Sequence, residues 1–311
     1  MSIHIKNEKI IQLVDYLEKF LHNKTEPIIL SLIAFFSEGH LLIEDLPGVG
    51  KTTLSLSIAK AMSLSFARIQ CTSDLLPSDI TGITIYSKKD EKFIFKKGPI
   101  FTNILLVDEI NRATQKTQSA FLEIMEERQV TVDGKTYELP EPFFVIATQN
   151  PVEHYGTYKL PDSQMDRFIM NISIGYPSQK SEVEILKTGS LREKISKMQP
   201  IFHKNEIHKI INKIHSIYAS EKVLNYIVNI SNATRANTYI LNGISPRGSL
   251  SLLNCAKTLA FFQNRDFVIP EDIKTLAPYV YSHRIICKEE FSSINKRDII
   301  YEILDNVPLP I

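Results

Sequence analysis

Apolar positions along this chain fall into two spacings. Short continuous runs occur at His40–Glu44, Ser65–Gln70, Asn103–Val107, Phe143–Thr148 and Phe168–Ile172, with Arg68 the one interior charge. Runs of that length and composition suit strands buried on both faces. Between them the period is helical. Ile10, Leu13, Val14, Leu17 and Leu21 share one side of Glu8–Leu21, and Ile28–Phe36 reads as a buried helix. Thr53–Met62 continues as a helix, and Thr117, Phe121, Leu122 and Met125 line one face of Ala113–Arg128. Strands alternating with helices predict a parallel sheet of five strands covered on both faces.

Two strand pairs interrupt the alternation. Ile83–Tyr86 and Lys92–Phe95 flank Ser87–Glu91, and Val130–Val132 and Lys135–Leu139 flank Asp133-Gly134, a two-residue hairpin signal. Past Tyr176-Pro177-Ser178 no further strand is read. Ile207, Ile210, Ile211, Ile214 and Tyr218 form a stripe on Asn205–Tyr218, and Leu224, Ile227, Val228 and Ile230 another on Glu221–Arg235. Ser245-Pro246 starts a helix running to about Gln263. A last helix follows Pro270, where Ile269 offers no side-chain cap, so a frayed start is expected. The expected division is an α/β domain over residues 1–177 and a smaller, all-helical domain over 178–311.

Composition narrows the setting. Length 311 allows two domains, and a 43% apolar share supports a sizeable core. Thirty-six basic against 35 acidic residues leave a net charge of +1, which gives no drive for nonspecific nucleic-acid binding. Cys71, Cys255 and Cys287 are too scattered for a zinc site or disulfide framework, and the eight histidines show no metal-ligand spacing. Met1–Leu13 mixes Lys6, Glu8 and Lys9 among its apolar residues and lacks a signal-peptide core. Ile28–Phe36 falls short of the about 20 residues a membrane span needs. A soluble cytoplasmic protein without membrane insertion is expected.

The candidate chemistry lies at the ends of the apolar runs. Asp45-Leu46-Pro47-Gly48-Val49-Gly50-Lys51-Thr52-Thr53 follows the first. In it Pro47 to Thr53 form a loop whose backbone N–H groups can wrap polyphosphate. Gly48 and Gly50 permit the tight approach. Lys51 would reach the terminal phosphates, and the Thr52 hydroxyl would ligate Mg²⁺. Asp45 stands where the strict motif has its first Gly. The plain alternative is an ordinary strand-turn-helix corner. Asn103–Val107 runs into Asp108-Glu109. There Asp108 would hold Mg²⁺ and Glu109 would activate water, the alternative being a helix-start cap. Asn150, after the fourth run, would meet the attacking water or the terminal phosphate. Taken alone it reads better as a turn residue before Pro151. Together these elements predict hydrolysis of a nucleoside triphosphate.

From about residue 25 to 285 the chain resembles the AAA+ ATPases and, within them, the MoxR family. The likeness rests on Glu44–Thr53, Pro77–Gly82, Lys97–Phe101, Val107–Ala113, Lys116–Ser119, Ala147–Pro151, Leu160–Phe168 and Ser245-Pro246-Arg247. It implies ATP and Mg²⁺ as ligands, with Asn150 as sensor 1. It further implies Arg167 as an arginine finger on a neighbouring subunit's ATP, and Arg247 as sensor 2, carried to the phosphates by a helical lid. Either Arg alone would read as a surface salt bridge. ATP is expected to bind between subunits of a homo-oligomeric, hexameric ring; relatives commonly work with proteins carrying a von Willebrand factor A domain and assist maturation or metal insertion in client complexes. In the wider helix-2-insert group such hairpins point into the pore; bare stiffening decorations are the alternative. One departure stands out: Leu21–Pro27 lacks the Val-Val-Gly-Gln stretch that lines the adenine pocket in many relatives. Rival readings are a nucleic-acid motor of the same group and a nucleotide-gated scaffold with little hydrolysis.

Overall fold

In the computed structural model, which describes residues 3–310 apart from 151–156, 159, 190 and 292, all five apolar runs are strands. Helices α1 (Glu8–Glu18) and α2 (Thr25–Phe36) lead into β1 (Leu41–Glu44), α3 (Lys51–Ala61) and β2 (Phe66–Gln70). A short α4 (Pro77–Thr81) precedes the hairpin β3 (Gly82–Ser87) and β4 (Lys92–Lys97). Next come β5 (Ile104–Asp108), α5 (Gln115–Glu127), the hairpin β6 (Gln129–Val132) and β7 (Lys135–Glu138), β8 (Phe144–Gln149), α6 (Asp162–Met165) and β9 (Met170–Ile172). The remainder comprises α7 (Gln179–Thr188), α8 (Arg192–Ser196), α9 (Lys204–His215), α10 (Glu221–Ala236), β10 (Ile240–Asn242), α11 (Pro246–Phe262), α12 (Pro270–Tyr281), β11 (Ile286–Cys287) and α13 (Lys296–Asn306).

The sheet is parallel throughout, in the order β2-β5-β8-β1-β9. Strand order reverses at β1, so a crevice opens beyond the carboxyl ends of β1 and β8, the usual ligand position in such sheets. Both faces are sealed. One core joins β1 to α1, α2 and α3 and runs on into α9–α13. There Phe36 packs edge-on against both Phe202 and Phe262. The other core lies under α5 and the β6–β7 hairpin. Gly39 lets β9 close on β1, because a Cβ there would lie 2.3 Å from the Ile169 side chain.

Both interruptions are antiparallel hairpins. They meet: Phe95 stacks on Tyr137 at 4.4 Å between ring centres, and Phe101 packs edge-on against Tyr137. The β3–β4 tip stays open, with Tyr86 and Phe93 paired in solvent.

Four expectations need correction. Tyr218 lies beyond α9 and is exposed, since the helix stops at His215. On α10, Leu224 and Val228 face water, and the buried stripe is Val223, Tyr226, Ile227, Ile230, Ser231 and Thr234. Its small polar members hid the period. The helical region also contains an antiparallel pair, β10 with β11, too short to show alternation. The start of α12 is closed rather than frayed: Ile269 N–H donates to Asp272 Oδ2 at 2.9 Å, and Arg265 grips the same carboxylate.

Candidate active site

The phosphate loop grows out of β1, whose first three residues are fully buried. Gly48 and Gly50 hold φ of 86° and 102°, values only glycine adopts without strain. Gly50 caps α3, so the first amides of that helix have no carbonyl a turn back and are left for an anion. Asp45 has its own task. One carboxylate oxygen accepts from Ser173 Oγ and from the amides of Ile174 and Gly175, fixing the turn after β9. Lys24 completes that turn through the carbonyls of Ile174, Gly175 and Tyr176.

Lys51 is buried, and its ammonium donates to the Asp45 carbonyl at 2.9 Å. Burial pulls its pKa down, while Asp108, Asp45 and Glu109 push it back up. The lysine and the three acidic residues thus share one electrostatic neighbourhood. Thr52 and Thr53 follow in the first turn of α3.

Strand β5 is buried along its whole length and delivers Asp108 to the same edge. Asp108 Oδ1 accepts from Thr148 Oγ at 2.7 Å, and Oδ2 pairs with Arg68 at 2.7 Å. Glu109 takes a left-handed conformation, φ 56° and ψ 52°. Such strain in a non-glycine residue collects at functional sites. Its amide donates to Thr148 Oγ at 2.9 Å. Its carboxylate accepts from Gln70 at 2.8 Å and Arg112 at 3.0 Å. Burial first, then the two nearby carboxylates, pushes the Cys71 thiol up to about 12, so it stays protonated beside the site. Asn150 follows directly on β8, between β1 and β5; Pro151 lies outside the described residues.

Beside the loop is a cavity of about 200 Å³ walled by Leu21, His22, Val49, Gly50, Ile185 and Leu191. An apolar slot next to a phosphate loop suits a planar base, although the Val-Val-Gly-Gln stretch is missing.

Arg167 and Arg247 are elsewhere. Both pair with Glu126, Arg167 at 2.8 Å, and Arg167 also donates to Leu122 O at 2.6 Å. Glu126 lies in the last turn of α5 next to Met125, whose carbonyl is bonded to His40, the residue that precedes β1. The phosphate loop follows the other end of β1. At 3.3 Å per residue, its four residues separate the two places by roughly 13 Å. The structure therefore gathers Lys51, Thr52, Asp108, Glu109 and Asn150 at one sheet edge. It sets Arg167 and Arg247 together at the opposite one, so in this conformation Arg247 is not at its own chain's phosphate loop.

Sequence reading missed Arg68, Gln70, Thr148 and Glu126. The signal for the first two was strand register, since Gln70 stands opposite Asp108; register between distant runs is not visible in the chain. Thr148 was the lone hydroxyl in an otherwise apolar run.

Residues 40–170 match the family model of the ATPase family associated with various cellular activities (AAA), and residues 232–303 match the AAA lid domain. Chaperone MoxR1 of Mycobacterium tuberculosis is 38% identical, over 90% of this chain and 76% of that protein. Protein MoxR of Methylorubrum extorquens is 28% identical over 89% of this chain and 88% of that protein. The uncharacterized protein YeaC of Bacillus subtilis is 43% identical over 96% and 94% of the two chains. A crystal structure of a protein from Cytophaga hutchinsonii superposes with a TM-score of 0.88 at 42% identity, covering 97% of this chain and 94% of that one. With that fold, that loop and these relatives, the chain belongs to the MoxR family of AAA+ ATPases.

Proposed function

We propose that this protein binds and hydrolyses ATP with Mg²⁺ at the junctions of a hexameric ring and uses the cycle to remodel or mature client protein complexes. The observation that carries the reading is the convergence of Lys51, Asp108 and Glu109 at the mouth of the phosphate loop. Lys51 and the loop amides would hold the phosphates, and the slot beside Val49 the base. Among the described residues no cluster of three His, Cys, Asp or Glu could hold a metal alone. The donor set instead suits an ion brought by the triphosphate, with Thr52 and Asp108 as protein ligands. When bound, Mg²⁺ supplies neutralising charge between the phosphates. Glu109 would take the proton from water, and Asn150 would orient that water.

Arg167 and Arg247 point to a neighbour's nucleotide, because their shared anchor lies at the far edge of their own sheet. A von Willebrand factor A domain protein is the proposed partner, and maturation or metal insertion the proposed service to a client. No helix among the described residues is long and apolar enough to cross a membrane.

The Glu109→Gln variant tests the reading: ATP binding kept and turnover abolished is expected, and undiminished turnover overturns it. Arg167→Ala subunits mixed with Glu109→Gln subunits should regain activity. A second reading, a nucleic-acid motor, draws on Lys88, Lys89, Lys92, Lys96 and Lys97 of the β3–β4 hairpin beside exposed Tyr86 and Phe93. Salt-sensitive stimulation of turnover by DNA would favour it.

A further inference from the structure

We propose that Arg284, gripping Asp166, positions the Arg167 guanidinium and thereby ties the helical region of one subunit to ATP turnover in the next. This rests on Arg167 acting in trans, as proposed above.

Arg284 follows α12, and its side chain is only 2% exposed. Its donors are spent on one short stretch. Nε donates to Asp166 Oδ1 at 2.7 Å, Nη2 to Phe168 O at 2.6 Å, and Nη1 to Ile169 O at 3.1 Å. Nη2 also reaches Ser251 Oγ of α11 at 3.2 Å, and Nη1 the Val280 carbonyl of α12. The neighbouring His283 adds a bond from Nε2 to Phe168 O at 2.9 Å. The other Asp166 oxygen accepts from Ser245 Oγ at 3.0 Å, and Ser245 caps the helix that carries Arg247.

Arg167 is thus bracketed. The residue before it and the two after it are fixed by α11, α12 and the turn behind α12. Its own guanidinium is fixed at the other end by Leu122 O and Glu126. A buried guanidinium is costly unless each donor is met, and a closure that only needed packing would use an apolar side chain. What a planar fork adds is simultaneous reach to a carboxylate and to carbonyls two and three residues further on, which one ammonium cannot supply. Any shift of α11 and α12 therefore shifts the backbone on both sides of Arg167. Transfer chemistry is sensitive to misplacement on the order of 1 Å.

The test uses full-length Arg284→Lys, with Asp166→Asn as a gentler second variant should the first fail to fold. Each variant's affinity for Mg-ATP should stay within about twofold of the parent, because its own phosphate loop is untouched, while kcat falls on the order of 10- to 100-fold. Mixed with Glu109→Gln subunits, which keep Arg284 and Arg167, each variant should regain turnover above either component alone. A residue that merely stabilises its own subunit would not be rescued. The inference is overturned if Arg167→Ala is rescued in the same mixture and the Arg284 and Asp166 variants are not. It is also overturned if their kcat matches the parent's. Failure to rescue Arg167→Ala itself refutes the trans reading, and this inference with it.

Discussion

The side-chain amide of Gln70 donates to the Glu109 carboxylate at 2.8 Å, from the strand position that faces Asp108. Arg112 grips the same Glu109 oxygen at 3.0 Å. Two donors on one carboxylate oxygen occupy lone pairs that could otherwise accept from water and hold the side chain in one place. Gln70→Ala should therefore raise basal turnover. The gain should stay within about tenfold, because an exposed hydrogen bond to a carboxylate contributes about 1.5 kcal/mol. Steady-state phosphate release reads this directly; a fall of tenfold or more would place the bond in the working arrangement instead.

Thr148 serves two residues with one hydroxyl, donating to Asp108 and accepting from the Glu109 amide. Thr148→Val keeps the shape and removes both bonds. The expected loss of stability is about 1–3 kcal/mol, since polar groups at Asp108 and Glu109 lose their partner. Turnover should fall further than ATP affinity, because the two acidic side chains lose their relative placement. Denaturant unfolding and nucleotide titration on the same preparation separate the two effects.

Lys51 rests on the Asp45 carbonyl, within the field of Asp108 and Glu109. In Lys51→Ala a charge-assisted contact to phosphate worth about 1.5–3 kcal/mol is removed. That corresponds to roughly 10- to 100-fold weaker ATP binding by calorimetry. Unchanged affinity would exclude Lys51 from the phosphate site.

Much of this arrangement was legible in the chain. The five strands, the Gly48–Thr52 turn and Asp108-Glu109 are local signals, because burial on both faces and a glycine corner leave their mark on consecutive residues. What failed depended on distant partners. Strand β10 exists only because β11 lies beside it. Gln70 meets Glu109 through register, and Arg247 meets Arg167 through a carboxylate, Glu126, that nothing in its local sequence sets apart from the other acidic residues of its helix. The asset at Asp45 was equally hidden: an exception to a motif turned out to anchor the turn after β9.

His40 gives the fold a pH dependence. Its Nδ1 accepts from the Val145 amide at 3.0 Å, so the proton sits on Nε2, which donates to Met125 O. Burial foremost, with a smaller push from Arg128, lowers its pKa to about 4. The unfolded chain takes up a proton below the ordinary value of 6.5, and the folded chain resists until about 4. Stability is thus full above pH 6.5 and declines as pH falls toward 4, with about 2 kcal/mol lost from this residue between pH 7 and pH 5. His283, also depressed by burial, adds in the same direction. Denaturant midpoints across this range should fall less steeply for His40→Phe, although that variant starts out less stable.

The contact of Phe95 with Tyr137 has a mechanical meaning. Two excursions of the chain that leave the sheet at separate points are welded at their bases, so a load on the free β3–β4 tip is borne by both. Part of it passes along β6 into the adjoining C-terminal turn of α5, which bears Glu126. Pulling at the tip is thereby felt where the two guanidinium groups are moored.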